Sequence, residues 1–341
     1  MRIGIVNDVP LAVEALRRVV TSLPEYQVAW IAKDGEEAVR ACAIDTPDVV
    51  LMDLMMPRMD GVEATRRIMQ ESPCAILIVT ATVAGHTSKV FDAMGWGALD
   101  AVDTPVLTLS GDPAGGRNLL AKIAILERLV RPGRLTHANQ GRVFPRYSNG
   151  TALPLVAIGS STGGPAALGE VFSNIPKDIQ ASFTIVQHVD AQFAPGLATW
   201  LADKTGHAVI PAREGTRPLA GQVMLAVTND HLALAQNGTF QYTPEPEEYL
   251  YRPSIDVFFE SALACYPGPL IGVLLTGMGA DGARGLLRLR EAGWPTIAQD
   301  EASCVVFGMP KAAIKLGAAS EVLGLNEIAP SILRAIHSAD R

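Results

Sequence analysis

The sequence predicts an α/β protein made of two consecutive doubly wound units, on three observations. Short uninterrupted apolar runs alternate with stretches of helical periodicity between residues 3 and 102, and again from residue 155 onward. A basic, turn-rich stretch at 131–152 separates the two series. Acids, hydroxyls and a histidine recur where the apolar runs stop, at Asp8, Asp53, Thr80, Ser161, His188 and Asp281. Continuous apolar strands between amphipathic helices imply a parallel sheet covered on both faces. In such sheets functional groups gather beyond the carboxyl ends of the strands.

The first run, Ile3–Val6, stops at Asn7-Asp8, and Pro10 opens a helix in which Ala12, Val13, Leu16, Val19, Val20 and Leu23 share one face. Val28–Ala32 follows as a strand, Glu36–Cys42 as a helix, Val49–Met52 as a strand and Gly61–Met69 as a helix. Ala75–Val79 is apolar again, and Ala101-Val102 ends the series. Arg131-Pro132-Gly133-Arg134 and Ser148-Asn149-Gly150 have linker composition. The alternation then restarts with strand Leu155–Ile158, helix Gly163–Phe172 and strand Phe183–Val186. Val223–Ala226 is apolar, and Leu232–Tyr242 reads as a hairpin turning at Asn237-Gly238. Strand Ile271–Leu275, helix Gly282–Glu291 and strand Thr296–Ala298 complete the unit. The expected division is 1–125, a linker at 126–152, and 153–341.

Composition narrows the function. With 48% hydrophobic and 18% charged residues, the 341-residue chain has ample surface to bury. A net charge of −7 argues against nucleic acid or anionic membranes as partners, since both require clustered Lys and Arg. Asp8 interrupts the first apolar run too early for a signal peptide. No stretch approaches the ~20 apolar residues of a bilayer span, so no direct membrane insertion is expected. Cys42, Cys74, Cys265 and Cys304 form no CxxC pair and read as ordinary buried thiols of a reducing compartment, so a cytoplasmic protein is expected.

Asp8 follows the first predicted strand, Asp53 ends the third and Thr80 the fourth. Two carboxylates at one sheet edge repel unless a hard cation lies between them, and magnesium suits oxygen ligands and retained waters. A carboxylate beside it can accept a phosphoryl group. Any one of these acids would also serve as a cap. The segment Val50-Leu51-Met52-Asp53-Leu54-Met55-Met56-Pro57-Arg58-Met59-Asp60-Gly61 resembles the phosphorylation segment of response-regulator receiver domains, a likeness that covers about the first 110 residues. The resemblance implies a flavodoxin-like fold, with Asp53 as phosphoacceptor, Asp8 and Asp53 at the magnesium, and Thr80 as the switch hydroxyl. Asn7 stands where that family usually has a second acid, and Thr104 where a Lys usually precedes Pro.

In the second unit, Gly159-Ser160-Ser161-Thr162-Gly163 follows a strand, opens a helix and fits the GxSxG spacing of an exposed nucleophile. The helix amino terminus offers N–H groups to an oxyanion, or equally to a bound phosphate. His188 lies past the next strand, and Asp281 past a later one, where alone it would be a cap. Together they allow a Ser-His-Asp arrangement, in an order that differs from the α/β-hydrolases.

Ala157–Pro165, Gln187-His188, Tyr251–Asp256, Leu275–Gly279 and Ala298–Pro310 resemble the CheB methylesterase domain over roughly residues 153–341. The resemblance implies Ser161, His188 and Asp281 as triad, with Met278 on the rim and N–H groups near Met278 or Thr162 at the oxyanion. Ser160 stands where that family often has Ala. Asn7-Asp8 and Asp103-Thr104-Pro105 are most similar to the WspF branch.

The implied reaction is hydrolysis of glutamate γ-methyl esters on the cytoplasmic helical domain of a methyl-accepting receptor, with deamidation of glutamines by the same chemistry. No cofactor is implied for hydrolysis; magnesium and a CheA-type histidine kinase are implied for phosphorylation. An unphosphorylated receiver is expected to mask the Ser161 rim. Two other readings are a non-enzymatic phosphoryl-accepting docking regulator and a nucleotide-binding enzyme using Gly159–Gly164, though the latter lacks the P-loop Lys.

Overall fold

The computed structural model describes residues 1–81, 87–107, 113–114, 116–130, 153–247, 249 and 251–339. The chain forms two compact units, Met1–His137 and Ala138–Arg341.

In the first unit, β1 (Arg2–Val6), α1 (Pro10–Thr21), β2 (Gln27–Ala32), α2 (Gly35–Ile44), β3 (Val49–Met52), α3 (Gly61–Glu71), β4 (Ala75–Thr80), α4 (Thr87–Gly95) and β5 (Asp100–Asp103) alternate. The sheet order is β2-β1-β3-β4-β5, and every pairing is parallel. This is the flavodoxin-like order. Val49–Met52 is wholly buried because, with helices on both faces, no side chain of β3 has a solvent side. Local signals start the helices: Pro10 opens α1, while Asp34 and Asp60 cap α2 and α3 by accepting the N–H groups of Glu37 and Glu63.

The series does not end at Ala101-Val102. The chain continues through the short hairpin β6 (Val106–Leu107) and β7 (Pro113–Ala114) into α5 (Gly116–Val130). Leu119 and Ile123 of α5 close one sheet face against Ile3, Ile5, Leu16 and Val19. Residues 126–130, expected to be linker, therefore continue this helix. The rest of the expected linker, 131–152, lies outside the described residues.

The second unit comprises β8 (Leu155–Ser160), α6 (Gly164–Ser173), β9 (Ser182–Gln187), α7 (Ala194–Thr205), β10 (Val209–Pro211), β11 (Val223–Leu225), β12 (His231–Leu234), β13 (Phe240–Thr243), α8 (Ile255–Cys265), β14 (Leu270–Leu274), α9 (Ala283–Glu291), β15 (Thr296–Gln299), α10 (Met309–Lys315), β16 (Glu321–Leu323) and α11 (Leu325–Ala339). Seven strands form one parallel sheet in the order β10-β11-β9-β8-β14-β15-β16. The hairpin β12–β13 stands apart from it, turning at Asn237-Gly238 with Gly238 at φ 76°. Ile255, Phe258 and Phe259 of α8 are fully buried among Leu274, Leu286 and Leu289. Burying each such side chain stabilises by roughly 1.5–3 kcal/mol, so α8 is a firmly seated element.

Candidate functional site

β8 is the strand at which the order diverges: β9 lies on one side and β14 on the other. Ligand sites of open α/β sheets form at such a point, outside the carboxyl ends of the strands. After Ser160 the chain turns through Ser161, Thr162 and Gly163 into α6. Gly163 caps that helix at φ 77°, a conformation that a side chain would strain. The facing loop after β14 comes equally close, since a Cβ on Gly277 would stand 2.7 Å from Ser161 Cβ.

Buried polar groups tie this turn to both neighbours. The Gln187 side chain donates to Ser161 O at 2.9 Å and to His188 O at 3.1 Å, and accepts from Ser160 Oγ at 2.6 Å. His188 N donates to Ser160 O at 3.0 Å, and Ser161 N to Thr276 O at 3.1 Å. The Thr276 hydroxyl donates to Thr162 O at 2.9 Å. Ser161 is left 8% exposed at the rim. Among the described residues, the N–H groups of Thr162 and Met278 have no hydrogen-bond acceptor.

His188 and Asp281 meet across this rim, with His188 Nε2 2.8 Å from Asp281 Oδ2. Alone, Asp281 would be read as the cap of the helix that follows it; instead Gly282 occupies that position. Asp281 sits at the amino terminus of another helix, α8. Its carboxylate accepts the Ser254 hydroxyl at 2.8 Å and the N–H groups of Ile255 at 2.7 Å and Asp256 at 3.2 Å. These are the unpaired donors at the positive end of a helix dipole. Burial alone would push the Asp281 carboxyl up. The hydrogen bond and charge of His188, with Ile255 N–H and the Ser254 hydroxyl, outweigh that and hold it below its ordinary value.

The neighbouring acid goes the other way. Burial, and then the charge of Asp281, push Asp256 up to about 7. Asp256 accepts Gly285 N at 2.7 Å and faces Arg284 Nε at 3.6 Å.

In the familiar serine-protease arrangement, Nδ1 meets the acid and Nε2 serves the serine. Here Nε2 is on the acid, and Nδ1 is buried with no partner among the described residues. Nδ1 is therefore the ring nitrogen that the acid leaves free. The structure brings His188 and Asp281 into contact and sets Ser161 on the adjoining strand end, strapped to His188 through Gln187.

In the first unit, β1 and β3 are neighbours with Val6 opposite Met52, so Asn7-Asp8 and Asp53 emerge side by side. Asp53 is 8% exposed; it accepts Asn7 Nδ2 at 3.0 Å and Leu54 N at 2.7 Å. Asp8 is exposed one residue further on. Thr80 is buried at the end of β4, and its carbonyl accepts Thr104 N at 2.9 Å. No group of three or more His, Cys, Asp or Glu side chains suited to a metal occurs among the described residues. Two carboxylates at one strand edge nonetheless fit magnesium, which binds through one or two carboxylates and keeps its waters.

Comparison with known proteins assigns a family to each unit. Residues 156–332 match the model of the CheB methylesterase family, and residues 3–108 that of the response regulator receiver domain. A Pseudomonas aeruginosa protein named protein-glutamate methylesterase/protein-glutamine glutaminase 3 is 53% identical over 97% of this chain and 98% of its own. This chain belongs to the CheB methylesterase family. A Mesorhizobium japonicum relative, named protein-glutamate methylesterase/protein-glutamine glutaminase, is 52% identical over 98% of both chains. The crystal structure of the Thermotoga maritima CheB methylesterase catalytic domain is 36% identical, with a TM-score of 0.52; the match covers 54% of this chain and 99% of that one.

Several parts of this CheB-family site were invisible in the sequence. Pro253-Ser254-Ile255-Asp256 has the form of a helix start, yet nothing in the chain says that Asp281 comes to meet it. Gln187 adjoins His188 in sequence, but its role as a clamp depends on strand pairing. The cysteines differ slightly from expectation, with Cys42 buried and Cys74, Cys265 and Cys304 half-buried. No helix among the described residues is long and apolar enough to cross a membrane.

Proposed function

We propose that this chain is a phosphorylation-regulated serine hydrolase that removes methyl groups from glutamate γ-methyl esters on methyl-accepting receptors and deamidates glutamines there. It gives adaptation in a chemosensory pathway. The observation that carries this reading is the His188–Asp281 pair, anchored on the amino terminus of α8 beside Ser161.

Ser161 Oγ attacks the ester carbonyl while His188 takes its proton through Nδ1. Asp281 keeps the imidazole oriented and stabilises the imidazolium that forms. The N–H groups of Thr162 and Met278, which have no acceptor among the described residues, receive the oxyanion; losing one such donor costs ~10²–10³ in kcat. His188 returns the proton to methanol, and water then cleaves the acyl-enzyme with His188 again as base. With an amide substrate ammonia leaves instead, which gives the glutaminase reaction.

In the receiver unit Asp53 accepts the phosphoryl group from the phosphohistidine of a CheA-type kinase, whose P–N bond breaks as the bond to the Asp53 carboxylate forms. Asp8 and Asp53 would hold magnesium, which when bound would neutralise charge on the transferring oxygens. Asn7 holds Asp53 in place, while Thr80 and Thr104 form the switch. Asn7-Asp8 and Asp103-Thr104-Pro105 favour the WspF branch, a reading checked by complementation of a surface-sensing adaptation mutant. The reading as a purely docking regulator is disfavoured, because the hydrolase site carries its His–acid pair.

The test is methanol release from methylated receptor, with and without acetyl phosphate. Release should rise with the phosphodonor and fall on the order of 10⁴–10⁶-fold in Ser161→Ala. A chain beginning at Leu153 should exceed the whole unphosphorylated chain. Undiminished release by Ser161→Ala would end the hydrolase reading.

A further inference from the structure

The segment leading into α8 carries another device, at Tyr251. Its ring stacks on the His188 imidazole with centroids 4.1 Å apart and planes 7° from parallel. Two flat faces in contact hold each other's plane, because neither ring can swing edge-on without parting from the other. The phenol oxygen is buried with no partner among the described residues. It lies 3.5 Å from where a Cβ on Gly279 would stand, so the ring spans from His188 to the loop that carries Met278. Three residues further along, Ser254, Ile255 and Asp256 hold Asp281. One short stretch of chain thus touches both members of the His–acid pair.

We propose that Tyr251 is a positioning residue for the hydrolysis. Its ring face holds the plane of the imidazole, so that the bond between Nε2 and Asp281 leaves Nδ1 turned toward Ser161. Hydrogen bonds alone do not secure that plane: among the described residues Nδ1 has no partner, so Asp281 grips the ring at one atom only. The hydroxyl likewise has no partner among the described residues, so the ring face carries the role. This inference rests on the triad reading given above.

The experiment measures methanol release by the full-length chain from methylated receptor, for Tyr251→Phe, Tyr251→Leu, Tyr251→Met and Ser161→Ala. Leu and Met remove the flat face, and kcat should fall on the order of 10–100-fold with little change in KM, as expected for a misplaced base. Phe keeps the face and should rescue most of kcat. Nitrogen-15 spectra of labelled histidine give a second readout that needs only folded protein. His188 should hold one tautomer, protonated at Nε2, in the parent chain and in Tyr251→Phe, and should average its two nitrogens in Tyr251→Leu or Tyr251→Met.

Parental kcat and an unaltered tautomer in the non-aromatic variants would overturn the proposal. So would a Phe variant as impaired as Leu, because the hydroxyl would then be the working group. Full activity in Ser161→Ala removes the triad reading and this proposal with it, whereas the Tyr251 outcomes remove this proposal alone.

Discussion

Replacing Ser254 by alanine isolates the coupling between helix α8 and Asp281. The hydroxyl donates to Asp281 Oδ1 at 2.8 Å and caps α8 by accepting Val257 N at 3.4 Å. Losing a hydrogen bond to a charged group costs ~1.5–3 kcal/mol. Losing a helix cap costs ~1 kcal/mol, and less for a bond as long as this one. Ser254→Ala should therefore destabilise the catalytic unit by about 2–4 kcal/mol, a shift in Tm of about 5–15 °C for a domain of this size.

The pH dependence identifies the source. The Asp281 carboxyl lies below its ordinary value in the folded chain, so its contribution is present above the unfolded value, near pH 4, and is lost as pH falls through the folded one. Ser254→Ala brings the folded value nearer to the unfolded one. The stability gap between parent and variant should then be full at neutral pH and shrink toward the capping remainder on acidification. Calorimetry of the intact chain across that range measures it. A gap that stays constant with pH, or one below about 0.5 kcal/mol at neutral pH, would refute the coupling.

Other perturbations give distinct results. Asp256 is raised to about 7, so its contribution to stability is present at acid pH and lost as pH rises through 7. Asp256→Asn should gain stability relative to the parent above pH 7 compared with pH 5, as read by thermal melts at both. Gly277→Ala places a Cβ 2.7 Å from Ser161 Cβ and 2.4 Å from Met309 Sδ. It should cost at least ~10² in kcat while the chain remains folded, as shown by methanol release beside circular dichroism. Asn7→Asp adds a carboxylate at the receiver edge and should tighten magnesium binding several-fold, as measured by titration calorimetry; unchanged affinity would place the metal away from residue 7.

The βα alternation of both units was legible because strands buried on two faces, such as Val49–Met52 and Leu155–Ser160, cannot alternate with polar residues. The strand-end positions of Asp53, Thr80, Ser161 and His188 followed from the same runs, whereas Asp281 lies in the loop between β14 and α9. Helix α8 was not legible as an element of the site. Its buried Phe258 and Phe259 show a core helix, whereas its value to the chemistry lies in its first turn. Asp281 was ambiguous between cap and catalytic acid, and in the structure it is bound by a helix that precedes it in the chain.

The sequence by itself determined the two-unit α/β organisation and which residue types stand at the sheet edges, because burial periodicity and glycine turns are local properties of the chain. The tertiary structure alone decided which nitrogen of His188 meets the acid, that α8 and its cap Ser254 supply three donors to Asp281, and that Tyr251 lies flat on the imidazole. Those contacts join residues 25 to 93 positions apart, and sequence separation carries no information about the angle at which two side chains meet.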